Sequence, residues 1–578
     1  MAEVTKVTSK VRHLAFWCVI LGAAIAFAAP RKISKDLQKQ SSQPWVNVIV
    51  QYRVPPSQKH FAKVAAKGGM LQQNLPLING AAFTVKGNSL SALAKDSNVA
   101  YISLNRTVWA TATVTDLYDQ AVLAPYAWSR NFTGSGIGVA VIDSGITAGR
   151  DFTLANGTGS RIVYNQNFAS GPNTAADLYG HGTHVAGILA GNGMNSRGTN
   201  FRKTFMGIAD NASLINLRVL DQNGAGRDSA VIAAIEKAIS LKSKYNIRVI
   251  NLSLGRAVYE SYKLDPLCQA VEAAWKAGIV VVVAAGNEGR NDTAHTDGYG
   301  TIAAPGNDPY AITVGAMKPM ATSTRADDLI ASYSSKGPTL LDHIVKPDIV
   351  APGNLMVSVL ASSSAALVKA SPKNVVALSS YTANGKGTVS YFTLSGTSMA
   401  TPVVSGAVAL LLQKNGSLTP DQVKARLMKS AYKTFPRSST AKDPTTGKSY
   451  TSQYDIFTVG AGYLDIQAAL SSTDLAPSTY GSAKSPSVAR DRSGNIYLVT
   501  GSSVLWGGSI MWGTSVVWGT SVLWGTSMKG ESVLWGSSAP WGSSGDNGYS
   551  VLWGTSIIWG TSNENENEAI PIELEGEK

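Results

Sequence analysis

Three short runs constrain what this chain can fold into. The segments "IGVAVIDSG" (137–145), "RVINLSLG" (248–255) and "GIVVVVAAGN" (278–287) are apolar at consecutive positions rather than at alternate ones. A sheet with one wet face alternates; a near-continuous apolar strand belongs to a parallel sheet covered on both sides. Amphipathic helical patterns lie between them, including "DSAVIAAIEKAISLKSKY" (228–245) and "CQAVEAAWKAG" (268–278). This alternation runs from about residue 113 to 472 and predicts an open α/β layer fold.

The polar residues with chemistry sit where such a fold collects them. Asp143 and Asn287 end two of the apolar runs. His181 follows Gly180 and opens "HGTHVAGILAG", and Ser398 lies in "LSGTSMATP", just ahead of an apolar helical run from Val403 to Leu412. Strand C-termini and helix N-termini are the places where open α/β sheets build sites. Singly, each residue has a bland reading: Asp and Asn as turn formers, Ser as a helix cap. Together, a carboxylate, an imidazole, a hydroxyl and an amide suggest acyl transfer by a serine nucleophile. His181 and His184 are three apart with no acid between them, unlike the spacing of a helical zinc site. No metal ligand is named from the sequence.

The rest of the chain divides by composition. Residues 1–28 combine Lys6, Lys10 and Arg12 with an apolar run from Leu14 to Phe27 and the small residues "AFA", which reads as a secretory signal peptide. Its apolar run is too short to span a membrane. Cleavage there removes Cys18 and leaves Cys268 alone, so no internal disulfide is expected. Residues 29–112 read as a small α/β module, with "VNVIVQYR", "AAFTVKG" and "VAYISLNRTV" as strands. The net charge of +13 comes from dispersed Lys and Arg without a basic run, so no nucleic-acid partner is expected.

The segments "VAVIDSGI", "GHGTHVAG", "VINLSLG", "VVAAGNEG" and "GTSMATPVVSGAVALL" resemble the successive signature segments of the subtilisin-like serine proteases. The resemblance implies a three-layer fold around a parallel sheet and a secreted endopeptidase acting on protein or peptide substrates. It implies Ser398 as nucleophile, His181 as general base, Asp143 as its orienting carboxylate, and Asn287 with the Ser398 N–H as oxyanion donors. It further implies that Ser253, Leu254 and Gly255 form a substrate-pairing edge and that Ala284, Ala285 and Gly286 wall a roomy, uncharged pocket. Pro402 is expected in the first turn of the nucleophile's helix. Residues 29–112 match the family's inhibitory propeptide more loosely, with a self-cut expected within "NRTVWATATVTD" (105–116). The chemistry needs no cofactor. Family members commonly hold structural calcium, and Asp151 with the loop "GNGMNSRGTNFRK" (191–203) is one place for it, although the loop is cationic and carries no Asp or Glu.

Past the protease-like region, residues 473–500 read as a Pro/Ser/Gly-rich linker. An array of hexapeptides such as "VVWGTS" and "VLWGTS" follows over 501–562, then an acidic tail, 563–578. Spacing by six places Trp512, Trp518 and Trp524 on one face of an extended chain. The array is expected either to be β-rich and serve attachment or assembly at a surface or polymer, or to be a tail flexible in isolation and removed during maturation. A chain ending near Ala476 is expected to keep peptidase activity. The alternative reading is a catalytically silent binding protein acting through the array.

Overall fold

The computed structural model describes residues 32–106, 118–293, 296–320, 322–443, 446–490, 496–499, 516–518, 522–524, 574 and 576–577. The expected signal peptide, the expected propeptide cut and most of the hexapeptide array lie outside the described residues.

Seven strands follow one another across the central sheet in the order β11-β10-β9-β8-β5-β7-β6. They are β5 (Gly138–Asp143), β6 (Ile162–Asn167), β7 (Ser213–Arg218), β8 (Ile247–Leu252), β9 (Val280–Ala284), β10 (Ile312–Lys318) and β11 (Leu329–Ile330). An eighth, β12 (Ile349–Pro352), pairs in parallel with β10; β11 alone runs antiparallel. Every residue of β5 and β9 is buried, as their unbroken apolar runs require of strands covered on both faces.

Helices supply the two covers. On one side α3 (Asp228–Tyr245) and α4 (Pro266–Lys276) pack together. On the other, α2 (His181–Ala190) packs on α5 (Thr397–Lys414), which lies against β8, β9, β10 and β12. All of α5 from Thr397 to Leu412 is buried. A helix apolar all round must be central, and this one delivers its first turn to the C-terminal ends of the strands.

The N-terminal module is a separate antiparallel sheet of β1 (Val46–Tyr52), β2 (Met70–Leu75), β3 (Gly80–Val85) and β4 (Val99–Leu104), in the order β2-β3-β1-β4, with helix α1 (Gln58–Ala65). It has its own core, including Val48, Val50, Phe83 and Ile102. Its last described residues cap α3: Arg106 O accepts from Asp228 N at 2.8 Å and Asn105 Oδ1 from Ser229 N at 2.8 Å. Arg106 also pairs with Glu260 at 2.7 Å, and Tyr101 OH donates to the same carboxylate at 2.7 Å. Both partners of that ion pair are almost fully buried.

Part of the stretch expected to be a linker, residues 481–489, is packed instead, while 473–480 is exposed apart from Ala476. Ser485 Oγ donates to Asp348 Oδ1 at 2.5 Å and accepts from Lys424 Nζ at 2.8 Å. Ala483 N and Gly481 N donate to Asp421, whose carboxylate also accepts from Trp275 Nε1 at 2.9 Å. Tyr480 stacks on Tyr310 with ring centroids 4.8 Å apart. Two short strands, Ser487–Arg490 and Ile496–Val499, pair antiparallel. Polar, small residues do not behave as a linker where they find buried partners, as Gly481, Ala483 and Ser485 do. Within the array, Val516–Trp518 and Val522–Trp524 pair antiparallel, with Trp518 opposite Val522.

Candidate active site

β5 ends on Asp143, which is buried against the start of α2. Its Oδ1 accepts from Ser144 N at 2.7 Å and lies 2.7 Å from His181 Nδ1. A carboxylate only accepts, so Nδ1 carries the proton and Nε2 becomes the basic nitrogen of the neutral ring. The approach depends on Gly182. A Cβ there would sit 2.3 Å from Gly145 O and 3.1 Å from Asp143 Oδ1, so any larger residue would push the helix start off the carboxylate.

Asp177, which the sequence reading did not single out, fixes that helix start. Its Oδ2 accepts from Thr183 N at 2.8 Å, and its Oδ1 from Gly180 N at 2.7 Å and Ser144 Oγ at 2.8 Å. Burial raises the Asp177 pKa while these hydrogen bonds oppose the rise. The available signal was a carboxylate four residues ahead of His181, at a helix N-terminus where negative charge is favoured. His184 turns the other way: Nε2 lies 3.1 Å from the carbonyls of Met356 and Phe392 and donates between them. Burial holds its pKa down to about 3.

The second half comes from α5. Ser398 is the second residue of this helix; its Oγ donates to Ser253 O at 3.0 Å, and Ser253 Oγ donates to Ser398 O at 2.7 Å. That second bond corrects the expectation for Pro402, which lies inside the helix rather than in its first turn. Proline has no N–H to give to the carbonyl four residues back, so Ser398 O is left for Ser253. Asn287 Oδ1 accepts from both Thr397 N and Thr397 Oγ1 at 3.0 Å. The amide is thereby oriented, and its Nδ2 is buried with no partner among the described residues.

Ser253, Leu254 and Gly255 follow β8, and Ala284, Ala285 and Gly286 close β9. The two strips share Ala303 as a neighbour: a Cβ on Gly255 would lie 3.0 Å from Ala303 Cβ, and one on Gly286 3.2 Å. Gly286 has φ +107° and donates its N–H to Thr397 Oγ1 at 3.1 Å, tying this strip to α5. Small side chains leave the strips uncharged and close to one another.

The Asp151 region does not fit a calcium ion. Arg161, buried, donates to the carbonyls of Asp151 (2.7 Å), Thr153 (2.9 Å), Ala190 (2.6 Å) and Ala212 (3.0 Å). Asp151 Oδ1 accepts from Asn195 N at 2.7 Å. Four carbonyls and a nearby carboxylate already face a guanidinium, whose charge opposes a second cation.

The model of the Subtilase family matches residues 134–462. The chain belongs to the subtilase family. It is 37% identical over 379 residues to "Serine protease AprX" of Bacillus subtilis, covering 62% of this chain and 76% of that protein. It is 34% identical to an "Extracellular serine proteinase" of a Thermus species, covering 61% of this chain and 70% of that protein. In fold it is similar to the crystal structure of fervidolysin from Fervidobacterium pennivorans, with a TM-score of 0.55, 21% identity and coverage of 78% of this chain and 67% of that one. The chain is a subtilisin-like serine endopeptidase. That displaces the alternative of a catalytically silent binding protein.

Proposed function

We propose that the chain is a secreted, self-processed zymogen that hydrolyses peptide bonds through Ser398, His181 and Asp143. The observation that carries this reading is the oriented amide of Asn287. Its acceptor is consumed by Thr397 while its donor is left bare beside the Ser398 turn, where a buried unpaired N–H is costly unless a ligand arrives.

The steps follow from these atoms. His181 Nε2 takes the proton of Ser398 Oγ–H as the oxygen attacks the scissile carbonyl carbon. The carbonyl oxygen becomes an oxyanion, held by Asn287 Nδ2–H and Ser398 N–H. Asp143 keeps Nδ1 protonated and stabilises the imidazolium at 2.7 Å. The C–N bond breaks as Nε2 returns the proton to the leaving amine. Water then attacks the acyl-serine by the same relay. The 253–255 strip pairs with substrate backbone and the 284–286 strip flanks its side-chain pocket.

Residues 29–112 serve as the inhibitory module. Its seating on the start of α3 through Asn105 and Arg106, and on Glu260 through Arg106, supports this. The N-terminal apolar run supports secretion, and the array supports attachment outside the cell. The test is Ser398→Ala made in a protease-deficient host. It should lose hydrolysis and retain residues 29–112. Release of the module in that variant would assign the cut to another protease.

A further inference from the structure

The last residues of the chain return to the catalytic domain. Glu577 is buried, and its Oε1 accepts from Arg290 Nη2 at 2.9 Å, from Ser332 N at 2.7 Å and from Ser332 Oγ. Its main chain makes a reciprocal pair with one side chain: Glu577 N donates to Asn354 Oδ1 at 3.0 Å, and Asn354 Nδ2 donates to Glu577 O at 2.9 Å. Leu574 O accepts from Asn374 Nδ2 at 2.8 Å. Arg290 is further held by Asp443 at 2.7 Å.

These partners stand next to the reacting groups. Asn354 Oδ1 also accepts from Ser395 Oγ at 3.0 Å, and Ser395 Oγ accepts from Leu355 N at 2.9 Å. Ser395 is three residues before Ser398, and Gly396 N is tied to Gly353 O at 2.7 Å. Arg290 is three residues after Asn287. One carboxylate and the main-chain N–H and C=O of the same residue thus bridge the loop that carries the oxyanion amide and the turn that carries the nucleophile.

We propose that this groove, formed by Arg290, Ser332, Asn354 and Asn374, is a binding site for the acidic C-terminal segment of the same chain, and that Glu577 is a positioning residue for the nucleophile turn. The proposal rests on the assignment of Ser398 and Asn287 above. Without the Glu577 carboxylate, Arg290 loses one of its two carboxylates and Ser332 loses its acceptor, so the main chain that pairs with the Asn354 amide is no longer anchored. The Asn354 amide that accepts from Ser395 is then held less firmly, and the turn ahead of Ser398 gains freedom. A loosened nucleophile lowers turnover more than substrate affinity, and misplacement by about 1 Å costs up to roughly 100-fold.

The test uses the full chain with Glu577→Ala, Glu577→Gln and Asn354→Ala, assayed on a small chromogenic peptide with active-site titration and melting temperature. The Ala variant should lose roughly 10–100-fold in kcat per titrated site with KM within about twofold. Gln, which keeps a side-chain acceptor for Ser332 and Arg290, should recover most of the loss. Asn354→Ala, which leaves the acidic end intact, should reproduce the Ala phenotype and covers the case in which Glu577→Ala does not fold. Three outcomes overturn the proposal: unchanged kcat in Glu577→Ala or Asn354→Ala, a lowered melting temperature with unchanged kcat per site, or a rise in kcat/KM. The last would make the segment an inhibitor. Label from a serine-directed sulfonyl fluoride should map to Ser398 in every variant; label elsewhere would count against the nucleophile assignment and not against the groove.

Discussion

Ser398 and Ser485 are both buried serines, and each hydroxyl bonds across to a distant part of the domain. Around Ser398 the sequence announces itself, because small residues at fixed spacing are required wherever backbones press together: Gly182 against Asp143, Gly286 against Ser335. Around Ser485 the sequence "YGSAKSPSV" has the composition of a flexible segment, yet it supplies partners to Asp348, Lys424 and Asp421. Composition reports how a stretch would behave in water. It does not report whether a buried charge elsewhere is waiting for that stretch.

The sharpest way to break this contrast is at the cradle. Asp143→Ala should leave the fold intact and lower kcat by about 10⁴, the order known for the corresponding subtilisin residue. Asn287→Ala should cost roughly 10²–10³ in kcat, the range known for the oxyanion asparagine of subtilisin, with KM little changed. A loss confined to KM at Asn287 would place this amide in ground-state binding instead.

At the other region the expected effect is on stability. A chain ending at Ala476 removes Ser485 from Asp348 and Lys424 and two N–H donors from Asp421. Bonds to charged groups contribute about 1.5–3 kcal/mol each, so the loss of these four should reach roughly 6–12 kcal/mol. Urea unfolding of this truncation should show a lowered midpoint. An unchanged midpoint would restore the linker reading.

Much of the fold was legible. Unbroken apolar runs predicted the covered parallel sheet, and β5, β8 and β9 are those runs. His181, Asp143, Ser398 and Asn287 stood out because each closes a strand or opens a helix. Asp177 did not, since one more Asp in a polar loop carries no periodicity. Pro402 misled because a proline near a helix start usually marks its first turn, whereas here it releases Ser398 O for Ser253. Arg161 also lay beyond sequence reading. Its four carbonyl partners come from positions far apart in the chain, and only the fold brings them together. Glu577 was unreadable for the same reason.

A smaller effect separates the two histidines of α2. His184 has its pKa held down to about 3 by burial, against an ordinary value of 6.5. Below 6.5 the unfolded chain takes a proton that the folded one refuses, so this contribution to stability is complete above 6.5 and declines as pH falls toward 3. Unfolding midpoints at pH 7, 5 and 4 should fall, and His184→Gln should flatten part of that slope. An equal slope in both proteins would remove His184 from the account.

The central claim is that Ser398, and no other group, is the nucleophile. Among the described residues Cys268 is its one thiol rival, and that thiol is buried, donates to Asn307 Oδ1 at 3.3 Å, and has its pKa pushed well above the ordinary range by burial. The direct measurement is peptide mapping by mass spectrometry after treatment with a serine-directed sulfonyl fluoride. The account predicts one adduct, on the peptide containing Ser398, formed in step with the loss of activity and absent in His181→Ala. An adduct on another residue, or full inactivation by alkylating Cys268 with Ser398 unmodified, would contradict it.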